Sequence, residues 1–163
     1  MQTPELNISN ADLVVGNVSN YYAQLEPKKI ALYDGKKSIT YGELNAQVDI
    51  LASALITLGV KSGDIVCAYL PNCIDYVLVV LSVARAGAIF SPINPRYKSV
   101  EISEILQQSK PKIIFTNVEQ ARNVKEVLSI VDEKIKEEFP QKQVLLVEEL
   151  ISKNNAAHFL EIT

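Results

Sequence analysis

The chain has 163 residues, 48% hydrophobic and 21% charged, which is a soluble globular composition long enough to bury a core and unlike that of disordered or fibrous proteins. Sixteen basic and 19 acidic residues give a formal charge of -3, so there is no strong positive field to draw in a phosphate backbone, and nucleic acid is excluded as an expected partner.

The opening residues, MQTPELNISNADL, carry neither a positive n-region nor an apolar h-region, so no signal peptide is read there and a cytoplasmic location is expected. A first helix is predicted over Ala11 to Leu25, with Asn10 or Asp12 as its N-cap and Pro27 closing it. Ile30 to Tyr33, the pair Asp34-Gly35 and Ser38 to Tyr41 spell a β-hairpin with a two-residue turn. Thr40 and Glu43 form a Thr-x-x-Glu capping box, flanked by Ile39 and Leu44 as a hydrophobic staple. Beyond it Leu44, Val48, Leu51, Leu55 and Leu58 share one helical face, and Gly59 followed by Val60 ends the helix.

From there strands and helices alternate: strands at Asp64 to Leu70, Ala88 to Pro92, Lys112 to Thr116 and Gln143 to Val147; helices at Ile74 to Ala86, Val100 to Gln108 and Val118 to Lys136. In the last helix Ala121, Val124, Leu128, Val131 and Ile135 fall on one face. The apolar run Tyr76 to Ala84 is far shorter than the ~20 residues of a membrane span and reads as a buried helix, so no transmembrane segment is expected. The expected fold is α/β, a mostly parallel sheet with helices on its faces and an N-terminal hairpin near one edge. Residues 1–163 read as a single subdomain, with 150–163 as a loose polar tail.

Few residues offer chemistry. Cys67 and Cys73 match neither a redox pair nor a zinc knuckle and read as reduced core thiols. The single histidine, His158, stands beside no nucleophile motif and reads as a surface residue. The alternating charges of Asp132 to Glu138 suit a solvated helix face, and Asp64 after Gly63 suits turn organisation better than metal binding. Gly35-Lys36-Lys37 lacks the spacer and hydroxyl of a phosphate loop, and no GxGxxG follows a strand. No catalytic or metal-binding residue is therefore assigned. The segment Ser91 to Tyr97 is the best local candidate, because ligand-binding loops in α/β sheets follow buried strands. Its two prolines and Asn94 fit a purely architectural loop at least as well.

Several segments carry a family resemblance in their order. Thr40-Tyr41-Gly42-Glu43-Leu44, then Gly59-Val60 with Gly63-Asp64 and Leu70-Pro71-Asn72, then Ala84-Arg85-Ala86-Gly87-Ala88 with Pro92-Ile93-Asn94-Pro95, are similar to successive motifs of the adenylate-forming (AMP-binding) superfamily. That superfamily comprises acyl- and aryl-CoA synthetases, firefly luciferases and peptide synthetase adenylation domains. The resemblance runs from about Asn10 to Val131. Asn94-Pro95 suits the CoA synthetase branch, since peptide synthetase domains more often place an acidic residue at the position of Asn94.

The resemblance implies a ligase of fatty acid and related metabolism. In it a carboxylate attacks the α-phosphate of ATP, with Mg2+ assisting, and the thiol of CoA captures the acyl-adenylate. It implies further that the phosphate loop, the adenine and ribose motifs and the catalytic lysine lie outside these residues. This chain alone is then expected to need no cofactor and to be inactive, with the remainder of the ligase, in cis or as a separate chain, as its partner and with self-association through the face left uncovered. Asn94 and Arg96 are carried over only as substrate-binding residues at the pocket margin. The competing reading is a stand-alone, non-catalytic remnant acting as an interaction module.

Overall fold

The computed structural model describes residues 14–122, 124 and 144–153. A 3-10 turn, Val15–Asn17, leads into α1 (Val18–Leu25), followed by the antiparallel strands β1 (Ile30–Tyr33) and β2 (Ser38–Thr40) and by α2 (Tyr41–Thr57). The βα alternation then runs β3 (Ile65–Tyr69), α3 (Ile74–Arg85), β4 (Ile89–Ile93), α4 (Ser99–Ser109), β5 (Ile113–Thr116), α5 (helical at 118–122 and 124), β6 (Val144–Leu146) and α6 (Val147–Lys153). β3 to β6 form a wholly parallel sheet in the order β4-β3-β5-β6. This is the expected α/β class, and the hairpin forms a two-stranded sheet of its own, paired with none of the four parallel strands.

Strand alternation divides the core. Val66, Ala68, Ile113 and Phe115 face α2, α3 and α6, whereas Cys67, Tyr69 and Ile114 face α4 and α5. Both faces are covered, which is why β3 reads as an unbroken apolar run. The Tyr76 to Ala84 segment lies within α3, as expected of a buried helix. No helix among the described residues is long and apolar enough to cross a membrane.

The local signals behave as their chemistry dictates. Thr40 Oγ1 accepts from Glu43 N and Glu43 Oε2 accepts from Thr40 N at 2.8 Å, while Ile39 and Leu44 are both buried beside them. Tyr41 is the first helical residue, not the end of the strand. Gly59 (φ 81°) and Gly87 (φ 74°) sit in the left-handed region where α2 and α3 stop. There the amides of Val60 and Ala88 reach back to Leu55 O and Val83 O.

Three boundaries differ from the sequence reading. The hairpin loop spans four residues, because Asp34 Oδ1 accepts from both Lys36 N and Lys37 N at 3.0 Å and holds a wider turn than Asp34-Gly35 alone requires. The first helix does not run unbroken from Ala11: Val14 is a bend and a 3-10 turn precedes Val18. Asn10 and Asp12 lie outside the described residues, and Asn17, at the α1 cap, makes no side-chain cap bond. The tight turn lets Gly16 press against α3, where a Cβ would lie 2.6 Å from Arg85 N. Finally, Val147 begins a helix, and its continuation through Lys153, with Leu150 buried, enters the stretch read as a tail. His158, Asp132 to Glu138 and the distal face residues Leu128, Val131 and Ile135 lie outside the described residues.

Arg85 joins the three N-terminal helical pieces. Its Nε donates to Gly16 O (2.8 Å) and one Nη to Ser19 Oγ (2.8 Å) and Asn45 Oδ1 (3.0 Å), while the other Nη pairs with Asp49. The Arg85 side chain is 14% exposed and that of Asp49 58%, so burial raises the worth of the first three bonds and water screens the fourth. Just before β3 begins, Asp64 Oδ2 accepts from Lys112 Nζ (2.9 Å) and Lys61 N (2.7 Å), which suits Asp64 to turn organisation.

Arg85→Ala is expected to cost about 3 kcal/mol in urea unfolding, because it removes the charged donor from the carbonyl of buried Gly16 and from Ser19 and Asn45, whereas Asp49→Ala costs about 0.5 kcal/mol. Equal losses would assign the network's strength to the exposed ion pair instead. A pH effect follows from Asp64, whose carboxyl is held below its ordinary 3.8 chiefly by the Lys112 hydrogen bond and then by the Lys61 amide. A depressed folded pKa contributes stability that is complete above the unfolded value and disappears as pH falls through the folded one. Asp64→Asn should therefore show a shallower fall in melting temperature than the parent as pH drops from about 5 to below 3.8.

Candidate functional site

All four strands of the main sheet end at one edge, so Tyr69, Ile93, Thr116 and Leu146 mark a single rim from which the loops depart. The connections leaving β3 and β5 run in opposite directions along the sheet, and their helices lie on opposite faces. Such a reversal opens a crevice at the carboxyl ends of the two strands, the usual ligand position in open α/β sheets. Pro71-Asn72-Cys73 follows β3 at this edge and Asn117 follows β5.

Asn72 is exposed, and Asn117 Oδ1 accepts from Gln120 N at 2.8 Å, capping α5. The sequence alone places Asn72 in a motif and Asn117 at the end of a strand segment, and gives neither a role. The available signal was an Asn directly after an apolar strand and before a helix.

A depression of about 210 Å3 lies where the hairpin meets the start of α3, lined by Leu32, Tyr33, Asp34, Asn72, Cys73, Ile74 and Val77. It is smaller than the ~300 Å3 at which small-molecule pockets begin. The hairpin is held over it by Asp34 Oδ2, which accepts from Ile74 N at 3.5 Å, and by Lys37 Nζ, which pairs with the buried Asp75 at 3.3 Å. The amides of Lys37 and then Lys36, more than that of Ile74, hold the Asp34 carboxyl below its ordinary range. Cys73 is half-buried at the α3 cap, whereas Cys67 is fully buried and its thiol is pushed up by desolvation. Both thiols are free.

Asn94 and Arg96 lie in the loop after β4, the outer strand on that side, and both are exposed. Asn94 Oδ1 accepts from Arg96 N (3.0 Å) and Asn94 O from Tyr97 N (3.0 Å), so the loop is a compact Asx turn. The same turn stands on the hydroxyl of Tyr69, buried at the end of β3, which donates to Tyr97 O at 3.0 Å and lies 3.4 Å from Pro95 O. The loop therefore shares the rim with the crevice but is one strand removed from it. Among the described residues no group of three or more His, Cys, Asp and Glu is arranged to hold a metal ion.

Comparison with known proteins places this geometry in a family. The family model described as AMP-binding enzyme matches residues 20–160. Acetyl-coenzyme A synthetase 1 of Candida albicans is 36% identical over 129 residues, 74% of this chain and 19% of that protein. A non-canonical nonribosomal peptide synthetase of Salinispora arenicola is 34% identical over 96 residues, 59% of this chain and 1% of that protein. The chain thus spans less than a fifth of the length of either relative. A solved fatty acyl CoA synthetase from Mycobacterium tuberculosis superposes with a TM-score of 0.74 at 23% identity, over 87% of this chain and 28% of that one, a likeness of fold. With the family pattern extending over residues 20–160, the chain belongs to the AMP-binding enzyme family.

Proposed function

We propose that the chain forms the N-terminal part of an ATP-dependent acid-CoA ligase, an enzyme that joins a carboxylate to AMP and then passes the acyl group to CoA. The observation that supports this most is the family match over residues 20–160, which takes in the capping-box motif, the β3 segment and the Arg85-Gly87 turn in one continuous fold. Relatives of both the CoA synthetase and the peptide synthetase kind match with similar identity. Asn94, followed by Pro95, favours the CoA branch. Asn94 and Arg96 are assigned to the margin of the substrate pocket, on the same rim and one strand from the crevice.

The residues present do not fit the phosphates or Mg2+ of that reaction. The sequence holds no Gly/Ser/Thr-rich loop ending in Lys, and no acidic cluster among the described residues has the arrangement of a cation site. A transferring phosphoryl group needs preorganised donors and a cation, so these functions are assigned to the remainder of the ligase, in cis or as a separate chain. A stand-alone interaction module is the weaker reading, because it would carry a polar outer surface. Here Val15, Val18, Tyr22 and Leu25 follow helical spacing along one face and are 39–60% exposed.

An immunoblot of the source cells is expected to show a species several-fold heavier than the 18.0 kDa of this chain. A single band at 18.0 kDa, with no second chain co-purifying, would sink the ligase reading. In parallel, acid-dependent exchange of pyrophosphate into ATP should be at background for the isolated 163 residues and present in the heavier species.

A further inference from the structure

Tyr69 is the one aromatic residue of β3, and it is fully buried among Cys67, Ile93, Ile102 and Ile114. A tyrosine at such a position brings a hydroxyl into an apolar layer, where an unpaired donor is costly. The hydroxyl donates to Tyr97 O at 3.0 Å, with Pro95 O at 3.4 Å sharing the same proton from farther away. Both carbonyls belong to the turn after β4. They flank Arg96, whose amide is held in turn by Asn94 Oδ1. With the carbonyls on either side drawn inward, the Arg96 side chain stays exposed, and its guanidinium makes no hydrogen bond or ion pair among the described residues.

We propose that Tyr69 is a positioning residue: its buried hydroxyl holds the Asn94–Tyr97 turn in the shape that presents the Arg96 guanidinium to an anionic group of the ligand at the sheet rim. The inference rests on the assignment of Arg96 to the pocket margin made above. Phosphate and carboxylate oxygens share the chemistry a guanidinium recognises, and in the complete ligase they belong to different substrates. The coupling is direct. Movement of the turn breaks the bond from the Tyr69 hydroxyl to Tyr97 O, which ties the loop to the end of β3.

The test is hydrogen exchange on the full 163-residue chain, read at the Arg96 and Tyr97 amides and at Val66 and Ala68 in the sheet. In the parent, Arg96 and Tyr97 should be protected relative to unbonded loop amides. In Tyr69→Phe their exchange should rise about tenfold while Val66 and Ala68 stay unchanged. If Arg96 and Tyr97 exchange freely in the parent, the proposal is overturned whether or not the variant folds. Unchanged protection in Tyr69→Phe, or an equal rise throughout the sheet, overturns it as well, the latter by making Tyr69 a core residue alone.

A second reading uses the full-length enzyme, with ATP and the acid varied separately. With CoA varied as well, Tyr69→Phe and Arg96→Ala should both raise KM for the same one of the three substrates, with kcat preserved; an effect on ATP or CoA identifies the anion as phosphate and an effect on the acid identifies it as carboxylate. A change confined to kcat, or KM effects on different substrates, overturns the presentation of Arg96. Absence of any ligase activity would sink the functional reading instead, and the exchange result, which needs no ligand, would still decide whether Tyr69 holds the turn.

Discussion

The Arg85 guanidinium is the interaction on which the N-terminal half of the structure depends. A planar fork of donors at the end of α3 meets a backbone carbonyl from the 3-10 turn, a serine from α1 and an amide oxygen from α2, and so fixes three elements against a fourth. The partners also support one another, since Ser19 Oγ donates to Asn45 Oδ1 at 3.1 Å and Asn45 Nδ2 to Asp49 at 3.2 Å. A lysine could satisfy only part of this set, because a point charge lacks the fork. Gly16 completes the arrangement by its size alone, allowing two backbones to touch where any side chain would intrude.

The same residue lies two positions before Gly87, the glycine that turns α3 into β4. Packing and chain direction are therefore set within three residues: Arg85 draws the helix end toward α1 and α2, and Gly87 releases the chain into the sheet. Once β4 is placed beside β3, the next crossover carries β5 to the far side of β3. That reversal creates the crevice. The geometry of the rim thus descends from contacts made at the other end of α3.

What could be read from the sequence follows the range of the forces involved. The capping box at Thr40 and Glu43, the glycine stop at Gly59 and the apolar run of β3 are local, and each is found where its residues imply. The hairpin was legible, but its loop length was not, because a side chain of Asp34 caps two amides and a third from α3. Arg85 appeared only as part of a motif, since its partners lie 36 to 69 residues away. Tyr69 gave no signal at all: a tyrosine in an apolar strand looks like core until the carbonyls 26 and 28 residues downstream are seen to fold over it. The order β4-β3-β5-β6 was likewise hidden, as alternation of elements predicts parallel strands without ranking them.

Pro92 marks one border of the sheet. Ile89 N donates to Asp64 O across to β3, and alternation along β4 then turns the amide positions of Phe90 and Pro92 outward. Proline has no hydrogen to offer, so one of the two outward donors of this outer strand is missing. A foreign strand arriving at β4 would find an incomplete ladder, which blunts edge-to-edge aggregation of a chain that is otherwise rich in apolar strands. In architectural terms β4 is a border with a gap in its outer ladder.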